Sequence, residues 1–280
     1  MQMKSAAWLS IATTITTAAA ACTRPLLEEA TSRYVAAQSA GEPRYLQQLA
    51  PNLAAMLYTE NGNATMPLHA SILAEPLRID HARAQHDLEA CRGYVELIVT
   101  DDAHPYQLAT QIYVDAAAGT INSIETLVTD AQDWLFSARH ALHYVLQEDW
   151  TPIVPAERDE REVLRAAADA YLDLFSNSSV VVPWHDECRR LEGGLYTQPG
   201  STCATGVPEG IEMVNRQYVI DEEYGTVGVF LRFGPSGLHD SHEFRIEGGR
   251  IKYIHTVTVC PTPNCGFGDP PAILQKDPGW

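Results

Sequence analysis

Basic residues are scarce: 19 Lys and Arg stand against 36 Asp and Glu, leaving a formal charge of −17 over 280 residues. Such a chain repels a phosphate backbone, which argues against nucleic acid as a partner. No apolar run is long enough to cross roughly 30 Å of hydrocarbon; residues 6–19 come nearest, and they are short and rich in threonine. Paired C-x-x-C spacing is missing, so a zinc site lacks its usual ligand pattern. There is no G-x-S-x-G and no phosphate loop, so serine hydrolase and nucleotide readings have no signal. His185-Asp186-Glu187 has the H-x-E spacing of a zinc deaminase without the P-C-x-x-C that should follow. His242 to Ile246 opens like a zincin and ends in isoleucine where the second histidine should stand. No organic cofactor, no metal, no nucleic acid and no membrane are expected.

What is present is a chain able to bury a core, with 45% hydrophobic and 20% charged residues. Lys4, the apolar run and Ala18 to Ala21 read as a secretory signal over residues 1–21, so the mature protein is expected outside the cell. Asn63-Ala64-Thr65 and Asn177-Ser178-Ser179 are then glycosylation sequons. Six cysteines in an oxidising compartment read as three disulfides. Of fifteen formal pairings, the local ones join Cys188 to Cys203 and Cys260 to Cys265, leaving Cys22 for Cys91. By chain entropy the 188–203 bridge contributes about 3 kcal/mol and the 260–265 bridge about 2.

Leu27, Ala30 and Tyr34 sit at helical spacing between Thr23 and Gly41, which predicts a helix over residues 24–40. Leu164, Ala167 and Tyr171 repeat them at one constant offset, in a helix expected over 158–176. Each helix is followed by strand signals. Residues 108–115 and 120–129 flank a turn in the first half, and residues 240–247 and 250–259 flank Gly248-Gly249 in the second, a strong hairpin signal. Residues 133–150 read as a helical or mixed connection, and 150–155 as an extended linker. The expectation is therefore α+β: two tandem cone-shaped domains, 22–151 and 152–262, each a curved antiparallel sheet wrapped around N-terminal helices, with a proline-rich tail over 263–280.

Each half resembles the nuclear transport factor two fold, the cone shared by ketosteroid isomerase, scytalone dehydratase and the SnoaL-like cyclases. The segments PWHDECRRLEGG at 183–194, HDSHEFRIEGGRIKYIHTVTVC at 239–260 and QDWLFSARHALHYVLQEDW at 132–150 resemble a family of secreted fungal proteins of unknown function, over nearly the whole mature chain. The cone resemblance implies a fold that serves enzymes and pure binding modules alike.

Pairing the second hairpin directly across Gly248-Gly249 sets His242 opposite His255 and Phe244 opposite Tyr253. One mostly apolar face then carries His242, Phe244, Tyr253 and His255, with Asp240 at its end. These are the candidate catalytic residues Asp240, His242, Tyr253 and His255, an acid/base set in an apolar pocket. The plainer reading is that the imidazoles satisfy one another and a buried carboxylate; a third is that the three groups share a metal ion. In the first half, Thr110 and Glu125 take the histidine positions, so catalysis is expected in the second half only. Trp184, Arg190, Glu192 and Phe244 are candidate ligand-binding residues, although Arg190 and Glu192 would equally tie down a loop by an ion pair. The expected function is a secreted, cofactor-independent isomerase, dehydratase or cyclase moving protons on a small apolar molecule, with a non-catalytic small-molecule-binding or interaction protein as the alternative.

Overall fold

The computed structural model describes residues 22–64, 67–197, 201–276 and 278; the expected signal segment, 1–21, and Thr65 of the first sequon lie outside the described residues. Helix α1 (Arg24–Ala40) begins where the Thr23 hydroxyl accepts from the Leu26 amide at 3.4 Å, and it ends at Gly41, whose φ of 65° suits glycine. Its stripe of Leu27, Ala30, Tyr34 and Ala37 is buried. It packs on a five-stranded sheet built from β1 (Leu57–Glu60), β2 (His81–Asp87), β3 (Arg92–Val99), β4 (Tyr106–Asp115) and β5 (Thr120–Thr129), in the order β1-β5-β4-β3-β2.

Helix α2 (Ala138–Val145) and an extended segment lead to α3 (Arg161–Leu174), which buries Leu164, Ala167, Tyr171 and Leu172. The second sheet contains β6 (Trp184–Glu192), β7 (Leu195–Tyr196), β8 (Met213–Asp221), β9 (Thr226–Phe233), β10 (Leu238–Glu247) and β11 (Arg250–Thr258), in the order β7-β6-β11-β10-β9-β8. Apart from the short β7, the two halves have the same strand order. The protein is α+β with two sheets.

Two expectations need correction. The sheets are mixed, because β1 runs parallel to β5 and β6 runs parallel to β11. A strand that reaches the sheet through a long connection, instead of a hairpin, is free to pair in either direction. The charged segment expected as a tied-down loop is strand β6, whose backbone is satisfied by β11 despite a composition poor in β-branched residues. The expected disulfides are all present, Cys22–Cys91, Cys188–Cys203 and Cys260–Cys265.

The faces turned away from the helices meet each other. Tyr94, Ala109 and Leu127 of the first sheet pack against Val219 and Phe230 of the second, and the Tyr94 hydroxyl lies 3.0 Å from Ser241 Oγ. A side chain at Gly228 would come within 2.6 Å of the Tyr94 ring, so the seam requires glycine there. The seam is also reciprocal. Asp87, ending β2, accepts two hydrogen bonds from Arg161 at 2.8 Å and one from the Ile220 amide at 2.9 Å. Asp221, ending β8, accepts from Arg24 at 2.7 and 3.1 Å and from the His86 amide at 2.8 Å. Each half gives the other an arginine from the start of its helix and takes one at the end of its strand, an isologous pattern within one chain.

Candidate functional site

The second hairpin decides which side chains share a face. Glu247 faces Arg250 and Ile246 faces Ile251, as the two-residue turn requires, but Arg245 then faces Tyr253, leaving Lys252 as one extra residue in β11. This β-bulge shifts all later pairs by one. His242 is opposite Thr256, and His255 is opposite Glu243. The first hairpin has its irregularity at the corresponding place, between Tyr113 and Val114. The expected side-by-side pair of His242 and His255 is therefore not formed. The two rings lie on opposite faces of the sheet, which also removes the metal ion they were to share with Asp240.

On the helix side, Asp240, His242, Thr256 and Thr258 line a cavity of about 400 Å³ whose other walls include Phe175, Ile211, Phe233 and Leu238. Such a site, apolar with a few convergent polar groups, is how small-molecule pockets are usually built. Nδ1 of His242 lies 2.6 Å from Oδ2 of Asp240, with the two side chains at most 2% exposed. The contact is not aligned as a hydrogen bond, and neither atom has another partner among the described residues. Two lone pairs this close in a dry site would repel, so a proton belongs between them. Thr258 donates to the other Asp240 oxygen at 2.5 Å. The Thr256 and Tyr171 hydroxyls are likewise buried without a partner. Tyr171 packs its ring 5.6 Å from that of His242, and burial raises its hydroxyl above the usual phenol range, so it remains protonated. In the first half the corresponding Tyr34 hydroxyl is satisfied by Thr110 at 2.7 Å.

Two rim segments close the cavity, each next to a short disulfide. Arg190 lies in the wall, but its donors are in use: Nε reaches Glu192 at 2.9 Å, Nη2 the same carboxylate at 2.8 Å, and Nη1 the carbonyls of Cys203 and Thr205 at 2.8 and 3.1 Å. Arg190 and Glu192 border the cavity and also hold down the loop after Cys203. Arg189 donates to its own neighbour's carbonyl, that of Cys188, at 2.8 Å. On the other rim, Asn264 is buried and accepts from the Leu135 amide at 2.9 Å, and Phe267 stands edge-on to Trp134 at 5.1 Å. The start of the proline-rich tail thus forms part of the cavity wall. Trp184 and Phe244 pack around Tyr171, at 5.7 and 5.6 Å, and belong to the core beneath the cavity instead of its lining.

On the seam side, His255 sits in a second buried cluster. Its Nδ1 is 2.9 Å from Glu96 and its Nε2 is 2.6 Å from Glu148, while Arg83 bonds Glu96 and Glu243 at 2.7 Å each. The Arg83 guanidinium also lies 3.6 Å over the Trp150 ring. Burial would lower the His255 pKa, but the Glu148 and Glu96 carboxylates outweigh it and hold the imidazole up at about 10. Glu96, Glu243 and His255 have metal-ligand spacing, yet Arg83 already supplies the cation that the carboxylates need. Tyr253 joins this face, 5.7 Å from Trp150. Neither Tyr253 nor His255 reaches the cavity.

Asn177 is exposed, and so is Asn63. Among the described residues no helix is long and apolar enough to cross a membrane. A family described as a domain of unknown function, DUF8021, matches residues 157–258, a span that holds α3, both hairpin strands and the Asp240–His242 pair. No curated protein and no solved structure matches the chain.

Proposed function

We propose that the second half is a cone-shaped acid/base site and that the protein is a secreted, cofactor-independent isomerase, dehydratase or cyclase acting on a small, largely apolar molecule. The observation that carries this reading is the buried Asp240–His242 contact at 2.6 Å, set at the end of an apolar cavity of about 400 Å³. Asp240 engages Nδ1, which fixes the tautomer and leaves Nε2 as the basic nitrogen for a substrate. An imidazole held this way can take a proton from a carbon acid or hydroxyl, and return it elsewhere on the same molecule. Charge that develops on a substrate oxygen needs a donor. Thr256, whose unsatisfied hydroxyl borders the cavity, takes the role expected of Tyr253, with Tyr171 packed against the His242 ring beneath it. Three disulfides and two exposed sequon asparagines support a secreted glycoprotein.

Deuterium wash-in tests proton transfer without knowledge of the product. Cyclic ketones with acidic carbons, headed by 2-tetralone, are incubated with the protein in heavy water and read by mass spectrometry. The expected result is label at the acidic carbon, falling by about 10²-fold or more in His242→Gln and Asp240→Asn. The melting temperature of His242→Gln should move by only a few degrees, the shift of about 1 kcal/mol. Binding of the ketone without any label would overturn catalysis and leave a carrier.

A further inference from the structure

The Arg83–Glu96–His255 cluster has a counterpart at the other end of the seam. Register places Asp221 where Asp87 stands, and therefore Gln217 where Arg83 stands and Phe230 where Glu96 stands. Glu125, opposite Gln111, takes the place of His255, opposite Glu243. At the His255 end the connection between the halves fills the space with the Glu148 carboxylate and the Trp150 ring. At the Glu125 end the same position is a polar crevice of about 250 Å³, bordered by Glu125 from the first half and by Gln217, Phe230, Arg232 and His239 from the second.

The charges here are unusual for this molecule. Among the described residues Arg232 is the only arginine with no hydrogen bond, ion pair or ring contact, in a chain where acids outnumber bases almost two to one. Glu125 also has no bonded partner among them, although the two charges sense each other across the crevice. His239 is fixed against Gly62, where a side chain would collide with its ring, and burial with the nearby Arg232 charge keeps it neutral, pushed down to about 4. Asp240 also borders the crevice, but its carboxylate is fully buried and engaged by Thr258 and His242, so the crevice presents one cation and one anion, from different halves, that do not close into an ion pair.

We propose that this crevice binds a small zwitterion of the free amino-acid type, its carboxylate on Arg232 and its ammonium on Glu125. A planar guanidinium suits a carboxylate, and a ligand carrying both charges satisfies both walls where a singly charged one leaves the opposite group unpaired. At the other end of the seam His255 is met by the protein's own Glu148; here Glu125 stands in the place of His255, so the group that meets it is the ligand's ammonium.

The test is thermal unfolding and calorimetry of the full chain with the common free amino acids at millimolar concentration. The controls are N-acetyl-L-serine, which lacks the ammonium, and L-serinamide, which lacks the carboxylate. At least one amino acid should raise the melting temperature, because a ligand that bridges the seam binds only the folded protein. Arg232→Gln and Glu125→Gln should each weaken that binding by about tenfold or more, as should loss of either charge from the ligand. Both side chains are half-buried and have no bonded partner among the described residues, so neither substitution should lower the melting temperature of the free protein. His242→Gln should bind the zwitterion as the unaltered protein does. Failure of every amino acid to bind, equal binding of the singly charged controls, or binding unchanged in both seam variants would overturn the proposal. Loss of binding in His242→Gln would also overturn it, by placing the ligand in the other cavity.

Discussion

His255 touches two carboxylates directly, and a third, on Glu243, lies 3.9 Å from its ring. Its folded pKa of about 10 stands above the unfolded value, so the stability it contributes is fully present below about 6.5 and is lost as pH rises through about 10. Glu96 and Glu148 run the other way. Burial would raise them, but Arg83 and His255 hold Glu96 well below the usual carboxylate range, and His255 with Trp150 lowers Glu148. Their contribution is present above the unfolded value of about 4.5 and is lost as pH falls through their lower folded values. Unfolding free energy from urea titration should therefore be highest between about pH 4.5 and 6.5, fall on the acid side, and decline progressively from about 6.5 towards 10. The His255 ring resonance should show no titration across the neutral range, and Glu148→Gln should bring its midpoint downward. A midpoint near 6.5 in the unaltered protein would refute this charge assignment.

At the scale of elements, the bulge at Lys252 governs which face each catalytic candidate occupies. Deleting Lys252 would restore the simple pairing that the turn alone suggests. It would move His255 and Glu243 out of step with each other and drive charged groups toward the apolar cavity. The expected cost is on the order of 3 kcal/mol or more, measured by denaturant unfolding, and a deletion variant with unchanged stability would show that the register is not fixed here. The alternation of β10 makes Asp240, His242 and Phe244 legible in the sequence as one face, and those three do share it. The position of His255 is not legible in the same way, because the turn sets the register only as far as the bulge. The sequence does carry a signal of the bulge: Ile251 and Ile254 are three apart, as are Ile121 and Ile124 in the first half, and all four are buried. An odd apolar spacing within a strand requires one extra residue if both side chains are to face the core. The helices are legible to within a few residues because caps and spacing are local, whereas the rim contacts of Arg190 and the tail join residues brought together only by the fold.

For the whole molecule, the paired aspartates make stability depend on contacts between halves far apart in sequence. Removing the Arg24 guanidinium with Arg24→Met leaves Asp221 buried with less compensation, and Arg161→Met does the same to Asp87; each should cost on the order of 3 kcal/mol. The two sites do not share a partner, so the double variant should lose close to the sum of the two. Strong non-additivity would mean that one contact forms only when the other does. In either case the melting transition should remain single, because the seam ties both cores into one cooperative unit.

A symmetric assembly of two separate chains suffers every substitution twice, once on each side of its axis. Carrying both copies in one polypeptide removes that constraint, and the two hairpins show how far the copies have parted. Thr110 quiets the tyrosine of one copy, while His242 leaves that of the other unanswered. Glu125 opens one end of the seam, while His255 is locked in at the other. Because its interface is already occupied from within, such a chain can keep one copy as ballast and let the other drift toward new ligands, without ever losing the partner that holds it folded.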